Sequence, residues 1–175
     1  MPPAIRSVMD TDAMRIAARH FEEPVITPCY RSTREKMISL LNGALATELV
    51  CTLRYKRHYY TVTGVQNGLI KAEFLQHAKE EQQHADLLAE RIVQLHGKPD
   101  FNPAKLLAHS HAAYDDSEDV QAMIMANLIA ERTAIEAYRQ MIIAIGDSDP
   151  TTTHLLVGIM VMEEGHADDM RDFLR

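Results

Sequence analysis

Four stretches of this chain repeat apolar residues at helical spacing, and each has a glutamate in the middle of its apolar stripe. The stripes are Leu41, Leu45, Glu48, Thr52, Tyr55 and Tyr59; Phe74, His77, Glu81, His84, Leu88, Ile92 and Leu95; Val120, Ile124, Asn127, Glu131, Ala134, Tyr138, Met141 and Ile145; and Leu156, Ile159, Glu163, His166, Met170 and Phe173. Side chains spaced in this way share one face of a helix, and such faces turn toward a common core. A carboxylate is almost never buried there without a partner. The stripes supply no comparable set of lysines or arginines to neutralise four carboxylates. The chain must therefore hold a concentration of negative charge inside its own core, and a pair of divalent cations has the matching charge.

The breakers between the stripes define an all-α architecture. The first helix is expected from about Ser32 to Tyr60, capped by Ser32 or Thr33, and it ends at Thr63-Gly64-Val65-Gln66-Asn67-Gly68. The second runs from about Leu69 to His96, with Gly97 as the residue past its end and Pro99 blocking continuation. The third begins near Ser117-Glu118-Asp119, read as a cap with an acidic first turn. Gly146 to Asp149 turn the chain, and Pro150 suits the first turn of the fourth. Short connections make each flanking pair an antiparallel hairpin. The long stretch from Gly97 to Asp116, with a short helix near Pro103 to His109, is a crossover between hairpins, a connection found in ferritin-like four-helix bundles. Residues 1–31 form an N-terminal extension in which Met9 to Phe21 suggest an amphipathic helix, and residues 32–175 form the bundle.

Composition narrows the function classes. A chain of 175 residues, 46% hydrophobic and 25% charged, is long enough for one domain with a sizeable core. A net charge of −7 argues against nucleic acid as the main partner. Arg6, Arg15, Arg19 and Arg31 of the extension alternate with Asp10, Asp12, Glu22 and Glu23, so no basic tail stands out. Cys29 and Cys51 are too few for a disulfide scaffold or a Cys-rich metal site. No apolar signal core follows Met1, and no segment approaches the roughly 20 apolar residues that span a membrane. The cytoplasm is the expected compartment.

Two of the four glutamates belong to a repeated motif. Glu81-Gln82-Gln83-His84 and Glu163-Glu164-Gly165-His166 each place a carboxylate and an imidazole one helical turn apart, within reach of one ion. Glu48 precedes Glu81 by 33 residues and Glu131 precedes Glu163 by 32, so each hairpin sets a lone glutamate opposite a Glu-x-x-His at similar depth. One glutamate from each of two helices and a Glu-x-x-His from each of the others is the ligand set of a di-metal carboxylate centre in a bundle. Glu48, Glu81, His84, Glu131, Glu163 and His166 are the expected metal ligands and catalytic residues. Carboxylate and imidazole donors suit Fe(II), Mn(II) or Zn(II).

The segment from Leu41-Asn42 through Glu48-Leu49-Val50 to Tyr55 resembles the first helix of the bacterioferritins. Glu81-Gln82-Gln83-His84-Ala85-Asp86, continuing to Glu90-Arg91-Ile92 and Gly97-Lys98-Pro99, is similar to their second. Glu118-Asp119-Val120 leading to Glu131, and Glu163-Glu164-Gly165-His166, are similar to the third and fourth. The resemblance covers about residues 35–173. It implies a ferroxidase centre with two iron ions per subunit, oxidising Fe(II) with O₂ or H₂O₂. Glu81 and Glu163 would bridge the irons, Glu48 and His84 would complete one site, and Glu131 and His166 the other. Tyr55 would hydrogen-bond beside the ligands, and Asn127, one turn before Glu131, is a further supporting candidate. The oxidised iron would be stored inside a homo-oligomeric shell.

Three departures qualify the resemblance. Gln82 stands where bacterioferritins carry the haem-ligating methionine, so no haem of that type is expected. The sequence reaches Arg175 without the short fifth helix of 24-subunit shells. The extension and long crossover resemble the 12-subunit Dps-type mini-ferritins, so a 12-mer is favoured over a 24-mer. The alternatives are a non-storage di-iron or di-manganese enzyme of peroxidase, catalase or hydroxylase type, and a DNA-protecting Dps-like shell. His77 reads as a packed histidine, with an iron-entry path as the alternative; His109 and His111 read as solvated, with a transient metal site as the alternative. Cys51 reads as a small buried hydrophobe.

Overall fold

The computed structural model describes residues 9–30 and 32–175; Arg6 and Arg31 lie outside the described residues. In chain order the helices are α1 (Thr11–Ala17), α2 (Arg34–Thr61), α3 (Gly68–Gln94), α4 (Leu106–His109), α5 (Val120–Ile145) and α6 (Pro150–Asp172). Helices α2 and α3 pack as one hairpin and α5 and α6 as the other, with α2 facing α5 and α3 facing α6. The stripe residues are buried apart from Tyr59, Val120 and Phe173, which are half-buried at helix ends. Helix α2 is long and apolar enough to cross a membrane by length and composition, but its apolar positions supply the core of the bundle.

Local chemistry places the helix ends, and three of them differ from expectation. Helix α3 closes with His96, not Gly97, in the left-handed conformation (φ 58°). The His96 N–H donates to the Val93 carbonyl and the Gly97 N–H to the Ile92 carbonyl, so Gly97 is the second residue past the end. A glycine is required there for space. A Cβ would lie 2.8 Å from Ile38 Cγ1 and 2.9 Å from Ile92 Cγ2. Helix α5 starts after Asp119, whose carboxylate accepts from the Ala122 N–H, because Ser117 is held outside the helix by hydrogen bonds to Asp115. The acidic residues therefore precede the first turn. Helix α1 is only seven residues long, is capped by Asp10, and buries nothing; Met14 and Ile16 are exposed, so the amphipathic reading of residues 9–21 does not hold within the chain. After it, Val25, Ile26 and Tyr30 pack against the bundle core.

The crossover from α3 to α5 runs along α2, which fixes it at intervals. Asn42 bonds the Lys98 carbonyl and the Asp100 N–H, Thr47 accepts from the His111 N–H, Arg54 donates to the Ala113 carbonyl, and His58 pairs with Asp115. Leu106 of α4 packs on Ala46 and Val50. His111 is therefore tied to Thr47 through its ring as well as its backbone. Helix α6 starts with Pro150 behind Asp149, which accepts from the Thr152 N–H and pairs with the buried Arg91. Tyr30 donates to the same carboxylate, attaching the extension to this end of the bundle.

Two large clusters make up most of the apolar core. One cluster joins Leu41 and Leu45 to Leu88, Ile92, Met141, Ile145, Leu156 and Ile159; the other joins Tyr55 and Val62 to Phe74, Ala78, Met123, Ile124 and Met170. On each long helix the stripe positions between these clusters are polar: Glu48 and Thr52 on α2, Glu81 and His84 on α3, Asn127 and Glu131 on α5, Glu163 and His166 on α6. A polar layer thus lies mid-bundle with an apolar plug on either side, which excludes water from it.

Candidate metal centre

All six sequence-predicted ligands meet in this layer, each from the helix that its stripe defined. None of the four carboxylates is more than 1% exposed, and His84 and His166 are also buried. His84 Nδ1 lies 3.4 Å from Glu48 Oε2, 3.3 Å from Glu81 Oε2 and 2.8 Å from Glu163 Oε1. His166 Nδ1 lies 3.7 Å from Glu81 Oε1, 3.9 Å from Glu131 Oε2 and 3.8 Å from Glu163 Oε2. Glu81 and Glu163 therefore each turn one oxygen to one histidine and the other oxygen to the other. Two sets result, Glu48–Glu81–His84–Glu163 and Glu81–Glu131–Glu163–His166, with the donor atoms of each set within 4.8 Å of one another.

These donor atoms are otherwise unsatisfied. Glu48 Oε2, both oxygens of Glu81, both of Glu163, Glu131 Oε2 and the Nδ1 atoms of His84 and His166 are buried without a hydrogen-bond partner. Orphaned buried polar atoms are rare because each costs its full desolvation. Eight of them converging in two groups of four fit a pair of cations in oxygen- and nitrogen-rich sites with coordination positions left open. The remaining carboxylate oxygens are held by tyrosines. Tyr55 of α2 donates to Glu131 Oε1 at 2.5 Å, and Tyr138 of α5 donates to Glu48 Oε1. Each tyrosine thus steadies the glutamate of the opposite hairpin.

Without an ion, the layer must hold protons. Burial, reinforced by Glu81, pushes the Glu48 carboxyl up to about 8. Burial and the surrounding carboxylates raise Glu163 well above the usual carboxylate range, and burial with Glu81 raises Glu131. Burial opposes charge on His84 and His166, but the facing carboxylates overcome it and raise them to about 10 and about 9. Burial also pushes Glu81 up, yet contacts from His166, His84 and Glu48 outweigh it and hold this carboxyl below its ordinary value. In the ion-free layer Glu81 is the anion between two imidazoliums.

Several neighbours are not expected from the sequence. Tyr138 stands seven residues after Glu131, as Tyr55 stands seven after Glu48, and that repeat was the available signal. Glu80 accepts from His166 Nε2 at 3.0 Å, the outward carboxylate that commonly orients a ligating imidazole. It was hidden because it lies off the stripe. His77 stacks on His166 with ring centroids 4.0 Å apart and is held neutral, burial and the His166 charge lowering it to about 3. Arg54, which lies off the stripes, also adjoins this region. It is fully buried one residue before Tyr55, and its charge acts on Glu131 without a hydrogen bond to any of the six. Asn127 is placed beside the layer rather than in it, bonding Arg54 and His58. Cys51 is buried among Ala112 and Ala130. The outer wall opens at a depression of about 370 Å³ between α3 and α6, lined by Glu80, Gln83, His84, His154, Gly158 and Met162 among others.

If the tyrosines hold the glutamates for binding, Tyr138→Phe and Tyr55→Phe weaken metal affinity alike, by about 10- to 100-fold each. Isothermal titration with Zn(II) measures both; an effect of Tyr55→Phe alone would remove Tyr138 from the site.

A four-helix bundle closed around paired carboxylate and histidine clusters defines the ferritin-like class. Residues 38–175 match the family described as Ferritin-like domain, and the chain belongs to that family. It is 31% identical to DNA protection during starvation protein 2 of Bacillus anthracis over 80% of this chain and 97% of the relative. It is 28% identical to the bacterioferritin of Desulfovibrio desulfuricans over 76% and 71%. Among solved structures it is similar to the dodecameric thioferritin, a bacterioferritin-related protein, of Bacteroides fragilis, with a TM-score of 0.79, 27% identity, and coverage of 94% of this chain and 93% of the other.

Proposed function

We propose that this protein oxidises Fe(II) within each subunit, at Glu48, Glu81, His84, Glu131, Glu163 and His166, and stores the Fe(III) inside a homo-oligomeric shell. The observation that carries this reading is the set of eight orphaned donor atoms, divided four and four with Glu81 and Glu163 in both groups. Two Fe(II) substrate ions side by side each yield one electron. The pair of electrons and two protons take O₂ to H₂O₂, or H₂O₂ to two waters. The chain's own residues hold the ions, keep water out through the flanking apolar clusters, and hold one oxygen each of Glu48 and Glu131 through Tyr138 and Tyr55. A 12-subunit shell is the favoured assembly, since the match to the dodecameric Bacteroides fragilis protein extends over nearly the whole of both chains. DNA protection, named for the Bacillus anthracis relative, is the less favoured reading for a chain of net charge −7.

The test is anaerobic Fe(II) titration of the metal-free protein followed by an oxygen pulse, read by ultraviolet absorbance. Saturation near two irons per chain, rapid oxidation, and continued turnover of iron in large excess are expected. Oxidation of two irons with no further uptake would replace storage with a di-iron redox enzyme. No stoichiometric binding would remove the centre.

A further inference from the structure

We infer that the Thr52 hydroxyl holds the oxidant in the metal layer, and that its chemistry selects H₂O₂ over O₂. Thr52 Oγ1 is buried without a hydrogen-bond partner, a further orphan beyond the eight metal donors. Buried hydroxyls are ordinarily satisfied. Inside a helix a threonine commonly returns its hydroxyl to the carbonyl one turn back. Thr47 does so to Gly43, Thr61 to Arg57 and Thr133 to Ile129. Thr52, only 3% exposed, does not.

Its position on α2 sets where this side chain lies. Thr52 stands one turn after Glu48 and one turn before Tyr55, so the three share a face of the helix. Both neighbours on that face reach the layer, Glu48 meeting His84 and Tyr55 meeting Glu131. Thr52 belongs to neither large apolar cluster and faces the same polar layer. Carboxylates and imidazoles already supply four donors to each ion set, and coordination positions remain open. The hydroxyl is left for the small molecule that enters beside the ions.

A threonine hydroxyl has one proton to donate and two lone pairs that accept. H₂O₂ carries both kinds of group, so it pairs with Thr52 in either direction. O₂ has no proton and is a weak acceptor, so it gains little from this contact. Two Fe(II) give H₂O₂ one electron each, the O–O bond breaks, and two protons complete two waters. Thr52 holds the molecule and supplies neither electron nor proton. This assignment rests on the function proposed above.

The test uses the assembled full-length protein, loaded without oxygen with two Co(II) per chain and titrated with azide, read by visible absorbance. Thr52→Val keeps the shape and lacks the hydroxyl; Thr52→Ser keeps the hydroxyl. Wild type and both variants are expected to bind two Co(II) per chain. Azide should bind Thr52→Val about tenfold more weakly than wild type, the loss of one hydrogen bond to a charged group. Thr52→Ser should stay close to wild type. Equal azide affinity in Thr52→Val and wild type overturns the role. So does a fall in Co(II) affinity with azide binding unchanged, which would make Thr52 a support for a metal ligand. No Co(II) uptake by wild type overturns the proposed centre as well. With Fe(II) loaded first, the ratio of kcat/KM for H₂O₂ to that for O₂ should fall several-fold in Thr52→Val; a wild-type ratio overturns the selectivity for H₂O₂.

Discussion

Replacing Glu163 with glutamine is expected to cut the initial rate of Fe(II) oxidation by at least ~100-fold, because even residues that only orient metal ligands cost about 10- to 100-fold. Glu163 turns one oxygen to each histidine, so its loss weakens both donor sets together. Glu81→Gln should be as damaging to oxidation, for the same geometric reason. The two variants part company in the metal-free protein. Burial already holds Glu163 protonated there, so a neutral glutamine changes little and the melting temperature moves by a few degrees at most. Glu81 is the anion between two imidazoliums, and removing one partner of a buried ion pair costs about 3–5 kcal/mol. Stopped-flow absorbance and calorimetry of both variants check the pair of claims. Wild-type oxidation rates in both would show that the layer is not the oxidation centre, and equal melting temperatures would refute the proton assignment.

The metal-free protein is expected to lose stability steeply as pH rises from about 6.5 to 9, and bound metal is expected to abolish that loss. Glu48 at about 8, His166 at about 9 and His84 at about 10 all hold protons in the folded state that the unfolded chain releases at lower pH. A group raised in this way stabilises the fold at low pH, and that contribution disappears as pH passes its folded value. Each proton held only by the folded state is worth about 1.4 kcal/mol per pH unit. Glu81 is shifted the other way and titrates below its ordinary value, so it adds no slope in this window. A cation replaces the protons, which makes affinity rise with pH and each binding event release acid. Thermal unfolding at pH 6.5 and 8.5, with chelator and then with Zn(II), reads the difference directly. Equal melting temperatures at the two pH values without metal would show that the layer does not store these protons.

The six central residues were legible because a helical stripe exposes its own exceptions: a charged group inside a run of Leu, Ile and Met at core spacing has few physical explanations. Tyr138 was partly legible, since its offset from Glu131 repeats that of Tyr55 from Glu48. Glu80, Arg54 and the pairing of His77 with Tyr55 were not. Glu80 and Arg54 lie off the stripes, where a charged residue is ordinarily solvated; the burial of Arg54 follows from the crossover covering its flank, and the half-buried Glu80 is engaged by His166 of a neighbouring helix. Asn127 occupies a stripe position but turns to Arg54, a contact that no spacing along α5 reveals.

The sequence by itself determined the number, length and inward faces of the long helices and the presence of four carboxylates in their core, because periodicity and breakers act locally. Tertiary structure alone decided how the oxygens divide. Only when the two hairpins are packed does each of Glu81 and Glu163 face both histidines, and only then does each tyrosine reach the glutamate of the other hairpin. The same packing brings Asp169 of α6 against Glu73 and His77 of α3. These are contacts between atoms distant in sequence, set by helix rotation and depth in the bundle, and neither quantity is encoded in the spacing along a single helix.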